Sequence, residues 1–276
     1  MITKNNISLL FDFIKRQKKI IKLGVNFKDN DFTLNTFRQS QHITIKNNTV
    51  SFDCKIDKSL EEIANILIPI LIKNKKFFIG QIGQSLDGRI ALLNGNSHYI
   101  NNKKSITYLH CLRSICDAVV VGVNTIIKDN PSLTTRKVKG RNPQRIIIDP
   151  TLKLTNRFNI FKDNYPNIIF TYSTISKKLN NTKIYKLPKK NFTKHIHQKI
   201  NSLNFKYVLV EGGAATLSKF LDARLLNIMQ FIISPMIIGS GINSLNLKPI
   251  TDLKNALRVK NNIHKFGDEI IISLKF

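Results

Sequence analysis

The apolar positions of the first 75 residues fall into three short patterns. Ile7, Leu10, Phe11, Ile14, Ile20 and Ile21 recur near a helical spacing, which predicts an amphipathic helix. Ile43 and Ile45 alternate with polar residues, Val50, Phe52 and Cys54 do the same, and Asn47-Asn48 lies between, so a β-hairpin is expected. Ser59-x-x-Glu62 has the form of a capping box opening an apolar helix that runs to about Lys73. This stretch, residues 1–75, reads as a small N-terminal α+β module with no chemistry of its own. Its apolar faces predict packing on the rest of the chain or on a second copy.

From Phe77 the rhythm changes to strand–helix–strand, and residues 76–276 read as one larger domain. Strands are predicted at Phe77–Gln84, Ala118–Gly122, Arg145–Asp149, Asn167–Tyr172, Lys183–Leu187, Tyr207–Glu211, Ile228–Ile237 and Glu269–Lys275. Helical patterns fall between them near Lys103–Ile115, Thr193–Leu203 and Ala214–Leu221. Uninterrupted apolar runs such as Ala118-Val119-Val120-Val121 suit strands buried on both faces, so the fold class is α/β, with a largely parallel central sheet flanked by helices.

Composition refines this reading. At 276 residues and 42% apolar, the chain can bury a sizeable core. The formal charge of +27 is spread along the chain, mostly as Lys among Asn and Ile, which reads as a basic solvated surface rather than a nucleic-acid tail. Cys54, Cys111 and Cys116 form no C-x-x-C pair and no even framework, so neither disulfides nor a structural zinc site is expected. Ile7 to Ile14 runs straight into Lys15 and Arg16, unlike a signal peptide, and Ile63 to Ile72 is too short to span a membrane. A cytoplasmic protein is the expectation.

In α/β sheets ligands collect at the carboxyl ends of strands, where helix N-termini offer free N–H groups. Tyr207–Glu211 leads into Gly212-Gly213-Ala214-Ala215-Thr216, a strand ending in an acid, two glycines and a helix start. This suits an anion at the helix N-terminus, although a tight βα turn with a solvent-facing Glu fits as well. Gly83, ahead of Asp87-Gly88, allows close approach of a ligand or merely a turn. Ser97 suits either a helix cap or a ligand contact, and Tyr99 either a stacking platform or core. Ala118–Gly122 is followed by a helix start with Thr125, a plausible nucleotide cradle without a G-x-G-x-x-G fingerprint, and Arg136, just beyond a Pro-containing loop, suits either a phosphate contact or a solvated surface. Ser234–Gly241 ends a strand in a glycine loop. His195-x-His197 reads as a surface pair, and H-x-E with P-C-x-x-C is absent, so no zinc deaminase is encoded.

In order, SLDGRIA (Ser85–Ala91), NSHYI (Asn96–Ile100), LRSICDAVVVGVNTIIKDNPSLTTR (Leu112–Arg136), RIIID (Arg145–Asp149), LVEGGAATL (Leu209–Leu217) and SPMIIGSG (Ser234–Gly241) resemble the pyrimidine reductase family of riboflavin biosynthesis. The resemblance covers about 77–275 and implies a dihydrofolate-reductase-like fold. It implies that NADPH delivers hydride to C1′ of a phosphorylated ribosylamino-pyrimidine through a ring-opened imine, giving a ribitylamino group. It further implies substrate contacts at Ser97, Arg113, Leu133, Arg136 and Glu211, with Glu211 also orienting the sugar or moving a proton. NADPH contacts would come from Gly83, Tyr99, Thr125, Asp129 and the turn with Gly213, Ala214, Ala215 and Thr216, and the chain would form a homodimer. Gln81 stands where many members carry Lys, Tyr99 where Trp is common, and Asn130 and Asn227 where Asp is usual. Bifunctional members carry a zinc deaminase where residues 1–75 stand here. A pterin or dihydrofolate reductase on the same fold, and a basic nucleic-acid-binding protein, are the other functions the sequence admits.

Overall fold

The structure is a computed structural model that describes residues 2–16, 22–28, 31–35, 42–46, 49–53, 56–72, 76–97 and 100–276. The chain forms two compact units. The first holds residues 1–75 with two later segments, Lys103–Ile115 and Thr134–Asn142, and the second holds Lys76–Asn102, Cys116–Leu133 and Pro143–Phe276.

In the first unit, α1 (Ile7–Arg16) precedes strands β1 (Lys22–Lys28), β2 (Asp31–Asn35), β3 (His42–Lys46) and β4 (Thr49–Phe52), then α2 (Lys58–Leu71), and α3 (Lys103–Ile115) joins from later in the chain. The hairpin expected around Asn47-Asn48 forms as β3–β4, although its turn lies outside the described residues. Two more strands pair ahead of it in the antiparallel order β2-β1-β3-β4. The expected capping box is replaced by an earlier cap: Asp57 accepts from Ser59 N at 2.8 Å and α2 starts one residue later. An Asp ahead of the first turn satisfies an orphan N–H and offsets the helix dipole, which Ser59 inside the helix does not do. Ile7, Leu10, Phe11 and Ile14 are fully buried, so α1 presents the amphipathic face its spacing predicts.

The second unit is built on a nine-stranded sheet. Its strands are β5 (Phe77–Ser85), β7 (Ala118–Gly122), β8 (Gln144–Ile148), β9 (Asn167–Thr171), β10 (Thr182–Lys186), β11 (Tyr207–Glu211), β12 (Ile228–Ser234), β14 (Lys260–Phe266) and β15 (Glu269–Lys275). A small separate ladder pairs β6 (Arg89–Leu92) with β13 (Gly241–Asn243). The order β10-β9-β8-β7-β11-β5-β12-β15-β14 is parallel from β10 to β12 and antiparallel at β15 and β14. This is the largely parallel sheet that the apolar runs predict. Helices α5 (Phe192–Ser202) and α6 (Ala214–Asp222) cover one face, where Ile196, Ile200, Leu217 and Phe220 pack with Val120, Ile146, Val208 and Val210. Burying each such side chain contributes about 1.5–3 kcal/mol. Helix α4 (Val123–Asp129) follows β7 directly. No helix among the described residues is long and apolar enough to cross a membrane.

Candidate active site

The carboxyl ends of β7 and β11, neighbours in the sheet, each turn into a helix through a glycine N-cap: Gly122 caps α4 and Gly213 caps α6. The two corners interlock. Gly213 N donates to Thr125 Oγ1 at 3.1 Å, and Gly212, at φ +103°, leaves no room for a side chain because Thr125 Oγ1 lies 2.8 Å from where its Cβ would stand. A Cβ at Gly122 would collide with Thr216 Oγ1. Two helix N-termini with their positive dipole ends therefore lie side by side, with exposed Ala215 in the first turn of α6. Their chemistry fits the diphosphate of a dinucleotide, since N–H groups and the dipole both favour an anion.

Glu211, half-buried, ends β11 in register with Gln81 on β5, which pairs in turn with Gln230 on β12 and, through it, Ser273 on β15. Registered residues share a face, so a polar row crosses the apolar sheet. Gln230 Nε2 donates to Ser273 Oγ at 3.1 Å within it. Gln81 thus gives a neutral amide beside the Glu211 carboxylate. Two residues further along β5, the space that Gly83 leaves open is taken by Asn101 Oδ1, whose amide nitrogen donates to the buried Glu269 at 3.0 Å. The glycine accommodates a side chain of the protein itself.

Two of the motifs turn out to hold each other. Asp87 accepts from Ser85 Oγ at 2.6 Å, Ile238 N at 3.1 Å and Gly239 N at 2.7 Å, while Arg89 Nε donates to the Gly239 carbonyl at 2.9 Å. The Ser85 hydroxyl and the Ile238 N–H hold the Asp87 carboxyl down to about 2. Asp87-Gly88, with Gly88 at φ +78°, is a clasp between the loops after β5 and β12.

In the first unit the last turns of α3 face the Thr134–Arg136 segment. Arg113, buried, donates from Nη1 to the Thr134 carbonyl at 3.2 Å, and His110 Nδ1 accepts from Arg136 N at 3.1 Å. Burial, then the charges of Arg113, Arg136 and Lys137, push His110 down to about 4, so its ring is neutral. The Arg136 side chain is exposed. The two arginines that the sequence motifs point to are thus brought to one short segment, suited to an anionic group. His110 belongs to no motif. The only signal for it in the sequence is its place one helical turn before Arg113.

The other predicted residues are more scattered. Ser97 is exposed in the loop after β6 and, with α3 starting at Lys103, does not cap a helix. Leu133 is buried with φ +54°, and Asp129 is exposed at the end of α4. Ala214 and Thr216 are buried at the start of α6. Tyr99 lies outside the described residues. Asn130 caps α4 at φ 42°, a conformation Asn tolerates, and accepts from Asn159 N at 2.8 Å. Asn227 accepts from Phe78 N at 2.9 Å. The surface pair expected at His195 and His197 is corrected: the His197 ring packs 4.4 Å from Phe78, and burial lowers its pKa. Among the described residues no group of His, Cys, Asp and Glu could hold a metal ion.

Comparison with known proteins agrees with this architecture. The chain is 35% identical over 198 residues to riboflavin biosynthesis protein RibD of Aquifex aeolicus, covering 70% of this chain and 55% of that protein. It is 24% identical over 211 residues to the 2,5-diamino-6-ribosylamino-4(3H)-pyrimidinone 5′-phosphate reductase of Methanothermobacter thermautotrophicus, covering 72% of this chain and 97% of that one. The crystal structure of a diaminohydroxyphosphoribosylaminopyrimidine deaminase/5-amino-6-(5-phosphoribosylamino)uracil reductase from Thermotoga maritima superimposes with a TM-score of 0.63 at 29% identity, over 78% of this chain and 62% of that one. The chain thus spans little more than half the length of the RibD protein. A sequence model described as the RibD C-terminal domain matches residues 76–271, and the chain belongs to that family.

Proposed function

We propose that the chain is an NADPH-dependent reductase of riboflavin biosynthesis that converts the ribosyl group of a 5-phosphoribosylamino-pyrimidine into a ribityl group. The observation that carries this reading is the interlocked pair of glycine corners, Gly122/Thr125 and Gly212/Gly213/Thr216, at adjacent strand ends. It is joined by membership of a family whose relatives include a named pyrimidine reductase. Tyr99, Thr125, Asp129 and Gly213 to Thr216 are the proposed NADPH contacts, with Gly83 contributing through its backbone alone because Asn101 fills the space beside it. When bound, NADPH supplies the hydride for C1′.

Ser97, Arg113, Leu133, Arg136 and Glu211 are the proposed substrate contacts. Arg113 and Arg136 neutralise the 5′-phosphate, or the polar pyrimidine, through planar guanidinium forks. Glu211 at the tip of β11 hydrogen-bonds a sugar hydroxyl and carries a proton during opening of the ring. Gln81 hydrogen-bonds beside it without contributing a charge. The protein acts in the cytoplasm as a homodimer.

The test is turnover by the purified chain. NADPH should be consumed when 5-amino-6-(5-phosphoribosylamino)uracil, or its undeaminated 2,5-diamino counterpart, is present. NADPH consumption with dihydrofolate or a pterin, and none with either pyrimidine phosphate, would replace this reading.

A further inference from the structure

His110 is a fully buried imidazole that none of the proposed contacts uses. It lies one turn before Arg113 on α3, and both reach the same three-residue segment. Arg113 donates to the Thr134 carbonyl at 3.2 Å, and His110 Nδ1 accepts from the Arg136 backbone N–H at 3.1 Å. Between them, the Thr135 N–H donates to Asn142 Oδ1 at 2.7 Å. Three consecutive residues are thereby fixed through their backbone by side chains, while the Arg136 guanidinium stays exposed. No carboxylate among the described residues pairs with it. An arginine with an anchored backbone and an open fork is arranged to hold an anion at low entropic cost.

We infer that His110 is a positioning residue for substrate: by accepting the Arg136 N–H it aims the Arg136 guanidinium at the substrate's phosphate. The inference rests on the reductase reading above. The acceptor has to be neutral and buried, because Arg113, Arg136 and Lys137 all bear on it. A carboxylate there would pair with the very guanidinium that must remain open, and a lysine or arginine has no lone pair to offer. Imidazole with its proton on Nε2 meets both conditions. Its loss would leave the Arg136 N–H without an acceptor and free the arginine to swing.

The experiment compares wild type with His110→Leu, which fills the space without an acceptor, and His110→Asn, whose Oδ1 can stand near the place of Nδ1. KM and kcat are measured with the pyrimidine ribosylamine phosphate and with its dephosphorylated form, and NADPH affinity by titration. His110→Leu should raise KM for the phosphate by about tenfold, the loss of one good hydrogen bond's worth of alignment. Its kcat and NADPH affinity should hold, and His110→Asn should recover most of the KM. With the dephosphorylated substrate the three proteins should be alike. An unchanged KM in His110→Leu, equal defects in Leu and Asn variants, or an equal penalty without the phosphate overturns the inference while leaving the reductase reading intact. A wild-type chain that turns over neither pyrimidine removes the reading and the inference together.

Discussion

Acid should destabilise this protein through His110 more than through an ordinary histidine. In the folded chain the imidazole is held at about 4, against 6.5 for a free histidine, first by burial and then by Arg113, Arg136 and Lys137. Above pH 6.5 neither the folded nor the unfolded form carries a proton there, and the stability is fully present. As pH falls from 6.5 towards 4, the unfolded chain binds a proton that the folded chain refuses, so stability is lost through that window and levels off below it. A tenfold difference in proton affinity between the two forms corresponds to about 1.4 kcal/mol, so the whole effect is on the order of 3 kcal/mol. The assay is urea denaturation at steps between pH 7.5 and 4, for wild type and His110→Asn. His197 and His264 are also lowered by burial and slope the same way, so the quantity of interest is the difference between the two proteins. Wild type should lose about 3 kcal/mol more than the variant across the window. Parallel profiles would refute the claim that a neutral His110 is built into the fold.

Three further substitutions probe the second unit. Thr125→Val removes the acceptor of the Gly213 N–H and should weaken NADPH binding by about tenfold in a fluorescence titration, with little change in melting temperature. Gly122→Ala should cost about 1–3 kcal/mol in denaturant unfolding, because its Cβ meets Thr216 Oγ1, and adding Thr216→Ala should return part of that loss. Asp163→Asn should cost about 2–3 kcal/mol by calorimetry, since Arg145 is 1% exposed and loses a two-pronged carboxylate at 2.7 and 2.8 Å, with the Ile160 carbonyl remaining to it at 3.1 Å.

The strands legible in the sequence are those buried on both faces, because an uninterrupted apolar run as short as Ala118–Val121 suits a covered strand better than a helix. Strand β14 is not legible: Lys260–Phe266 is an edge strand with only Phe266 buried, so it carries almost no apolar signal. Strands β1 and β2 carry a legible alternation, Leu23, Val25 and Phe27 and then Phe32 and Leu34, that the helical reading does not use; Ile20 and Ile21, which that reading includes, lie outside the described residues. The glycine corners of the site are legible, since glycines clustered at a strand end have a local cause. The clasp from Asp87 to Ile238 and Gly239, and the grip of His110 on Arg136, join residues far apart in the chain, and no local pattern encodes them. Gly83 shows the converse: its meaning depends on Asn101, which fills the space it leaves.

The central claim is that hydride passes from a nicotinamide to C1′ of a phosphorylated ribosylamine on this chain. NADPH carrying deuterium at the transferable position of its nicotinamide, incubated with the purified protein and 5-amino-6-(5-phosphoribosylamino)uracil, should yield a ribitylamino product with the label on C1′. An unlabelled product, or intact substrate beside unoxidised cofactor, would contradict it.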